Sequence, residues 1–171
     1  MNEGIVVIGY QGIGKSKLAN SESRFVDLES GNFWIGGDRW DNWFIPYCSI
    51  AVDIASQGNI VFVSSHKVVR DQLVSMPYPK GVHVMSCVPV IELREAWIRK
   101  LHDRFTTSLL DKDYKAWMNA VDRYVENIQE IKDTPIPVCE IASMDYSLRD
   151  VLLDFILKHG WATALINSKK N

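Results

Sequence analysis

The run GIVVIGYQGIGKSKLA at residues 4–19 constrains the fold of this 171-residue chain more than any other feature. Its first six residues carry no charge and read as a strand buried on both faces of a parallel sheet. The strand leads straight into a loop with glycines at positions 9, 12 and 14, and a helix is expected from about Lys15. Strand, tight turn and helix in that order open a β-α-β architecture, because a parallel neighbour is reached only by a crossover.

Four further runs predict strands: RFVDL at 24–28, NIVFVSS at 59–65, GVHVMSCV at 81–88 and IPVCEIA at 136–142. Between them lie segments of helical period. Trp40, Trp43, Phe44, Tyr47, Ile50, Ala51 and Ile54 recur at steps of three and four, with Asn42 as the expected cap and Pro46 in the tolerated first turn. Residues 67–76 predict a short helix stopped by PYPKG, and Trp97, Leu101 and Phe105 predict another over 91–105. The stripe Tyr114, Trp117, Val121, Tyr124, Val125, Ile128 and Ile131 predicts a core-facing helix over 113–131. A last helix, 148–159, has Ser147 as cap, Asp150 three residues on and Gly160 past its end.

This order predicts one domain, 1–171: a three-layer α/β/α fold with a five-stranded parallel sheet and its ligand site at the carboxyl ends of the strands. Length agrees, since a chain of this size buries roughly two thirds of its unfolded surface around one core.

Charge narrows the partners. The formal charge is −2 with no basic block, so neither nucleic acid nor an anionic membrane is an expected partner. The apolar run Ile5 to Ile8 is too short for a signal peptide or a membrane span, and a cytoplasmic location is expected. Cys48, Cys87 and Cys139 lack disulfide or zinc spacing and are expected to be reduced and mostly buried, while the four histidines are dispersed.

Gly9, four residues, then Gly14-Lys15-Ser16 complete the pattern G-x-x-x-x-G-K-[ST]. At average composition the four fixed positions match by accident in roughly 0.6% of chains this long. Each position has a mechanical use in a phosphate site. Glycines let backbone N–H groups turn toward an anion, the start of the following helix adds its positive end, Lys15 supplies a point charge, and the Ser16 hydroxyl suits Mg²⁺. Gly9, Gly12, Ile13, Gly14, Lys15, Ser16 and Lys17 are therefore the candidates for holding a nucleoside triphosphate.

A hydrolytic switch of this loop type ends its third strand in a carboxylate, whereas here that strand ends VFVSSH. Carboxylates stand instead at the second strand, FVDLES, where Asp27 and Glu29 project to one side of an extended chain. With the phosphate loop and this acidic pair, the chain resembles the small P-loop kinases of the nucleoside-monophosphate, shikimate and gluconate kinase group, whose D-x-D-like pair is D-L-E here. In size, and in joining a phosphate loop to a VSSHK-like third strand, it also resembles compact proteins of phages and their bacterial hosts.

The resemblance implies an ATP- and Mg²⁺-dependent phosphotransferase acting on a small acceptor, with nucleosides or nucleoside monophosphates favoured by the aromatic segment SGNFWIGGDRW. It implies that Asp27 meets the magnesium shell or the acceptor's proton and that Glu29 binds the acceptor. Within the aromatic segment, Trp34 could stack on a base or anchor a loop, and Arg39 could meet a phosphate or carboxylate. Ser65 and Arg70, at the end of the third strand and in the helix after it, are further acceptor candidates. The resemblance also implies a short lid near 99–113, with Arg99 and Arg104 as the arginines that stabilise the transferred phosphoryl. Two other readings remain from the sequence: a nucleotide-binding regulatory protein without phosphoryl transfer, and a polynucleotide 5′-kinase, which the near-neutral charge disfavours.

Overall fold

The computed structural model describes residues 3–35, 38–39 and 41–161, with the side chains of 32–35 and 38–39 not described. Its main sheet holds β1 (Gly4–Gly9), β2 (Phe25–Asp27), β5 (Ile60–Val63), β6 (Val82–Pro89) and β7 (Val138–Ile141), after a small antiparallel ribbon of β3 (Trp34–Ile35) and β4 (Asp38–Arg39) is set apart. The five strands are parallel in the order β2-β5-β1-β6-β7. All five predicted strands are present, and the ribbon is an addition that the sequence reading did not contain.

Alternate residues of β1 supply the two cores. Ile5 and Val7 pack against α4 (Arg94–Ser108), α5 (Asp111–Asp133) and α6 (Leu148–Lys158) through Trp97, Leu101, Tyr124, Ile128 and Leu152. Val6 and Ile8 pack on the opposite face against α2 (Phe44–Ser56) and α3 (Lys67–Ser75) through Tyr47, Ala51, Val69 and Leu73. Each β1 side chain from Ile5 to Ile8 is 0% exposed, which is why the strand tolerates no polar residue.

The helix predictions hold with three corrections. Asn42 does not cap α2: it sits in the left-handed region at φ 56, its carbonyl accepts from Ile45 N–H at 3.0 Å, and Trp43 takes the cap position. Asparagine tolerates that backbone, so the residue makes the turn before the helix instead. In the same helix Ile50 is 40% exposed and not on the core face. In α5 the core takes Ala120, Tyr124, Ile128 and Ile131 but leaves Tyr114, Val121 and Val125 exposed: each follows a buried residue, Asp113, Ala120 or Tyr124, by one position and so lies about 100° round the helix from the core face.

The segment assigned to a lid, 99–113, is the second half of α4, a turn at Leu109 and Leu110, and the start of α5. α4 and α5 thus form a helical hairpin whose turn has Leu109 at φ 57. The Ser147 side chain accepts from Asp150 N–H at the start of α6, as the sequence predicts. The three cysteines are free and buried.

Candidate functional site

In the strand order the crossover from β1 runs past β5 to β2, whereas the one from β5 runs back past β1 to β6, and these opposite directions open a crevice at the carboxyl ends of β1 and β5. The glycine loop occupies that crevice. Gly12 and Gly14 have φ values of 86 and 107, a backbone that any side chain would strain. A Cβ on Gly12 would also stand 2.8 Å from Leu101 Cδ2 and 3.2 Å from Trp97 Nε1, so α4 closes tightly on the loop.

Two side chains fix the loop's peptide planes from outside. Trp97 Nε1–H donates to Gln11 C=O at 2.9 Å, and the Tyr146 hydroxyl donates to Ile13 C=O at 2.8 Å. A trans peptide sets its C=O and the next N–H in opposite directions. Anchoring these two carbonyls therefore turns the N–H groups of Gly12 and Gly14 away from the anchors, and both glycines line the cleft. The anchors are themselves braced: the rings of Trp97 and Tyr146 stack at 6.0 Å, and Lys100 Nζ lies 4.5 and 4.9 Å from them while donating to the Tyr146 hydroxyl at 2.8 Å.

The loop opens on a cleft of about 710 Å³. Of the predicted residues, Gly9, Gly12, Gly14, Lys15, Ser16, Asp27, Glu29, Ser65, Arg70 and Arg104 all line it. Lys15 Nζ reaches back to Gly9 C=O at 3.2 Å. Burial lowers the pKa of Lys15 and the Arg104 charge adds to that, while Asp27 and Glu29 oppose it. Burial is also the first cause raising the pKa of Asp27; the nearby Glu29 carboxyl, within hydrogen-bonding reach, raises it further, and Lys15 and Lys112 pull it down. Two carboxylates so close repel each other, and a cation between them would relieve that repulsion.

Tyr47 holds the acidic strand end in place. Its hydroxyl donates to Leu28 C=O at 2.7 Å and accepts from Ser64 N–H at 2.9 Å, tying the ends of β2 and β5 together. Ser64 also meets His66 Nδ1 at 2.8 Å, directly before α3.

Other candidates fall elsewhere. Ile13 is 1% exposed in the core and offers the loop only its peptide groups. Lys17 and Arg99 are exposed and do not line the cleft. The side chains of Trp34 and Arg39 lie outside the described residues. Arg70 lines the cleft, yet its guanidinium is already engaged: Nε donates to Ser65 C=O at 3.1 Å, and Nη1 donates to Glu130 C=O at 3.1 Å and to Thr134 Oγ1 at 3.0 Å. With Nη2 also 3.5 Å from the Glu130 carboxylate, this buried arginine ties α3 to α5 where the sequence suggested an acceptor clamp.

The opposite wall of the cleft escaped the sequence reading. Lys112, Lys115, Asn119, Arg123, Asn127 and Glu130 line it from α5, at steps of three and four. Gln11 joins this wall to the loop, donating to Ala116 C=O and to Asn119 Oδ1, both at 3.0 Å. That polar stripe was legible as a helix face, but nothing in the sequence distinguished it from a face turned to solvent.

Among the described residues, no group of three or more His, Cys, Asp or Glu side chains is placed to hold a metal ion. Asp27, Glu29 and Ser16 are hard oxygen donors in one cleft, a set that suits Mg²⁺, which takes one or two carboxylates and completes its shell with water and phosphate.

Fold and site together define a three-layer α/β protein with a cleft at the carboxyl edge of a parallel sheet. No helix among the described residues is long and apolar enough to cross a membrane. No family model and no curated protein matches the chain. Among solved structures, a gluconokinase from Sinorhizobium meliloti 1021 is similar over 98% of this chain and 94% of its own, at 13% identity and a TM-score of 0.46. So weak a likeness assigns neither a substrate nor an activity to the present chain.

Proposed function

We propose that the chain is a small-molecule kinase that transfers the γ-phosphoryl of Mg·ATP to a hydroxyl or phosphate of a small acceptor. The observation that carries this reading is the convergence of Lys15, Asp27, Glu29 and Arg104 on one cleft beside the glycine loop. A phosphoryl-transfer site needs little covalent chemistry from the protein; it needs positioning and compensation of charge.

In this reading the N–H groups of Gly12 and Gly14 and the Lys15 ammonium bind the polyphosphate. The helix after the loop, α1 (Lys15–Ser21), has only seven residues, so backbone N–H groups and the lysine carry the binding more than a helix dipole does. Ser16 and Asp27 would hold Mg²⁺, which supplies neutralisation of charge between the phosphates. Glu29 orients the acceptor, and the Asp27 carboxylate serves the magnesium shell or takes the acceptor's proton. Arg104 faces the charge that develops on the transferred group, which is worth most in a site shielded from water. Ser65 offers a further hydroxyl toward the acceptor.

The acceptor follows from what lines the rest of the cleft. Apart from Tyr10 and His66, its described lining is aliphatic, amide, hydroxyl or charged, which suits a small polar acceptor. A nucleoside or nucleoside monophosphate is the finer reading, and it depends on the aromatic segment around Trp34 and Arg39. One observation favours a second function, nucleotide binding without transfer: β5 ends in Ser64, Ser65 and His66, which supply no carboxylate.

ADP release from Mg·ATP separates the two, measured for wild type and Lys15→Ala with nucleosides, nucleoside monophosphates and small hydroxylated acids. One acceptor that stimulates Lys15-dependent release is the expected result and names the substrate class. Lys15-dependent ATP binding with no active acceptor would establish the second function in place of the first.

A further inference from the structure

Few charged groups are buried among the described residues, and one of them is not explained by the chemistry above. Asp113, in the first turn of α5, is 4% exposed although it borders a solvent-filled cleft. An isolated buried carboxylate is costly, so its partners indicate its use. One carboxylate oxygen lies 3.0 Å from Arg104 Nε, across the turn of the α4–α5 hairpin. The other accepts from the Ser108 hydroxyl, which itself accepts from Leu110 N–H at 3.2 Å. The carboxylate is thereby fixed on two sides by the turn that joins the helices.

Arg104 makes its shortest contact with this carboxylate through Nε. Among the described residues no hydrogen bond engages its two terminal nitrogens, and its side chain stays 46% exposed on the cleft. A guanidinium tethered through Nε keeps its outer donors for a second anion. Lys15, Asp27 and Lys112 line the same part of the cleft, so the hairpin turn brings two cations, Arg104 and Lys112, over the loop lysine and the acidic strand end.

We propose that Asp113 is a positioning residue that sets Arg104 over the phosphate loop before any nucleotide binds, so that the hairpin acts as a preset cap. The proposal rests on the kinase reading for the identity of the anion, a polyphosphate. An arginine held in advance loses less side-chain freedom on binding, and the gain appears as affinity for the phosphate chain and as rate. Ser108 contributes by holding the carboxylate in the orientation that meets Nε.

A double-mutant cycle tests this. Wild type, Asp113→Asn, Arg104→Ala and the double variant are titrated calorimetrically with Mg·ATP and with Mg·tripolyphosphate, and melting temperatures are recorded for all four. Asp113→Asn is expected to weaken tripolyphosphate binding by roughly three- to tenfold in the wild-type background and to have no further effect once Arg104 is alanine. Equal losses in both backgrounds, or no loss in the first, would overturn the proposal and leave Asp113 as a stabiliser of the turn. If Asp113→Asn does not fold, Ser108→Ala takes its place in the cycle, with a smaller loss of the same dependence on Arg104 expected and an independent loss contradicting it. If wild type binds neither ligand, the kinase reading fails and the proposal fails with it. Binding that is present but additive across the cycle removes the positioning role alone.

Discussion

The loop wall of the cleft offers backbone, and the α5 wall offers side chains. On the first, two glycines at positive φ are held by hydrogen bonds from Trp97 and Tyr146 to the neighbouring carbonyls. On the second, Arg123 pairs with Glu126 at 3.2 Å and with Glu130 at 3.1 Å, and Lys115 pairs with Asp111 at 2.9 Å. An anion reaching the loop meets donors already aimed, whereas one reaching α5 must compete with carboxylates for its cations. The loop is therefore suited to a ligand part that never changes, and the α5 wall to a part that selects.

If that contrast is right, damage at the acidic strand end between the walls should be the most severe for turnover. Asp27→Asn should cut phosphoryl transfer by about a hundredfold or more while nucleotide affinity stays within a few fold, since the loop N–H groups and Lys15 carry most of the polyphosphate binding. Full activity in that variant would reduce Asp27 to a charge at a strand end.

The backbone wall is broken from outside by Trp97→Phe. The smaller ring leaves a cavity at a fully buried site and the Gln11 carbonyl loses its donor, so stability should fall by about 2–3 kcal/mol in denaturant titration. Polyphosphate affinity should fall with it, by roughly three- to tenfold, because the Gly12 peptide plane is no longer fixed. A loss of stability with unchanged affinity would mean that the loop is held by its own sequence.

Smaller effects sharpen the side-chain wall. Leu109 is 73% exposed at φ 57, so Leu109→Gly relieves a left-handed backbone at little cost in burial. It should raise stability by about 0.5–1 kcal/mol in thermal unfolding, with nucleotide affinity unchanged if the hairpin already holds its shape. Arg123→Ala should cost less than about 1 kcal/mol, since its ion pairs are half exposed, and should alter acceptor KM more than nucleotide affinity. An equal effect of Arg123→Ala on both substrates would erase the distinction between the walls.

The backbone wall was legible in the sequence and the side-chain wall largely was not. β1 is an unbroken apolar run, and the loop's glycines and lysine have fixed spacing, so both are written locally. Asp27 and Glu29 were found because residues two apart at an extended strand end share a side. Asp113 and Arg104 are nine positions apart, and their pairing depends on a turn of only two residues, Leu109 and Leu110, that no periodicity marks. Arg70 illustrates the converse: its placement in the cleft was legible, but Glu130 and Thr134, its partners, come from a helix sixty residues on. Trp97 was legible as one position of a helical period, and its indole N–H, which reaches Gln11, is the part that periodicity cannot register.

The most direct test of the account is calorimetric titration of Mg·ATP into wild type and Lys15→Ala, with folding of both checked by circular dichroism. The account predicts saturable binding to wild type and a loss of about ten- to a hundredfold in the variant, the cost of removing a charged donor from a buried phosphate site. Equal binding by the two proteins, or none by wild type, would contradict it.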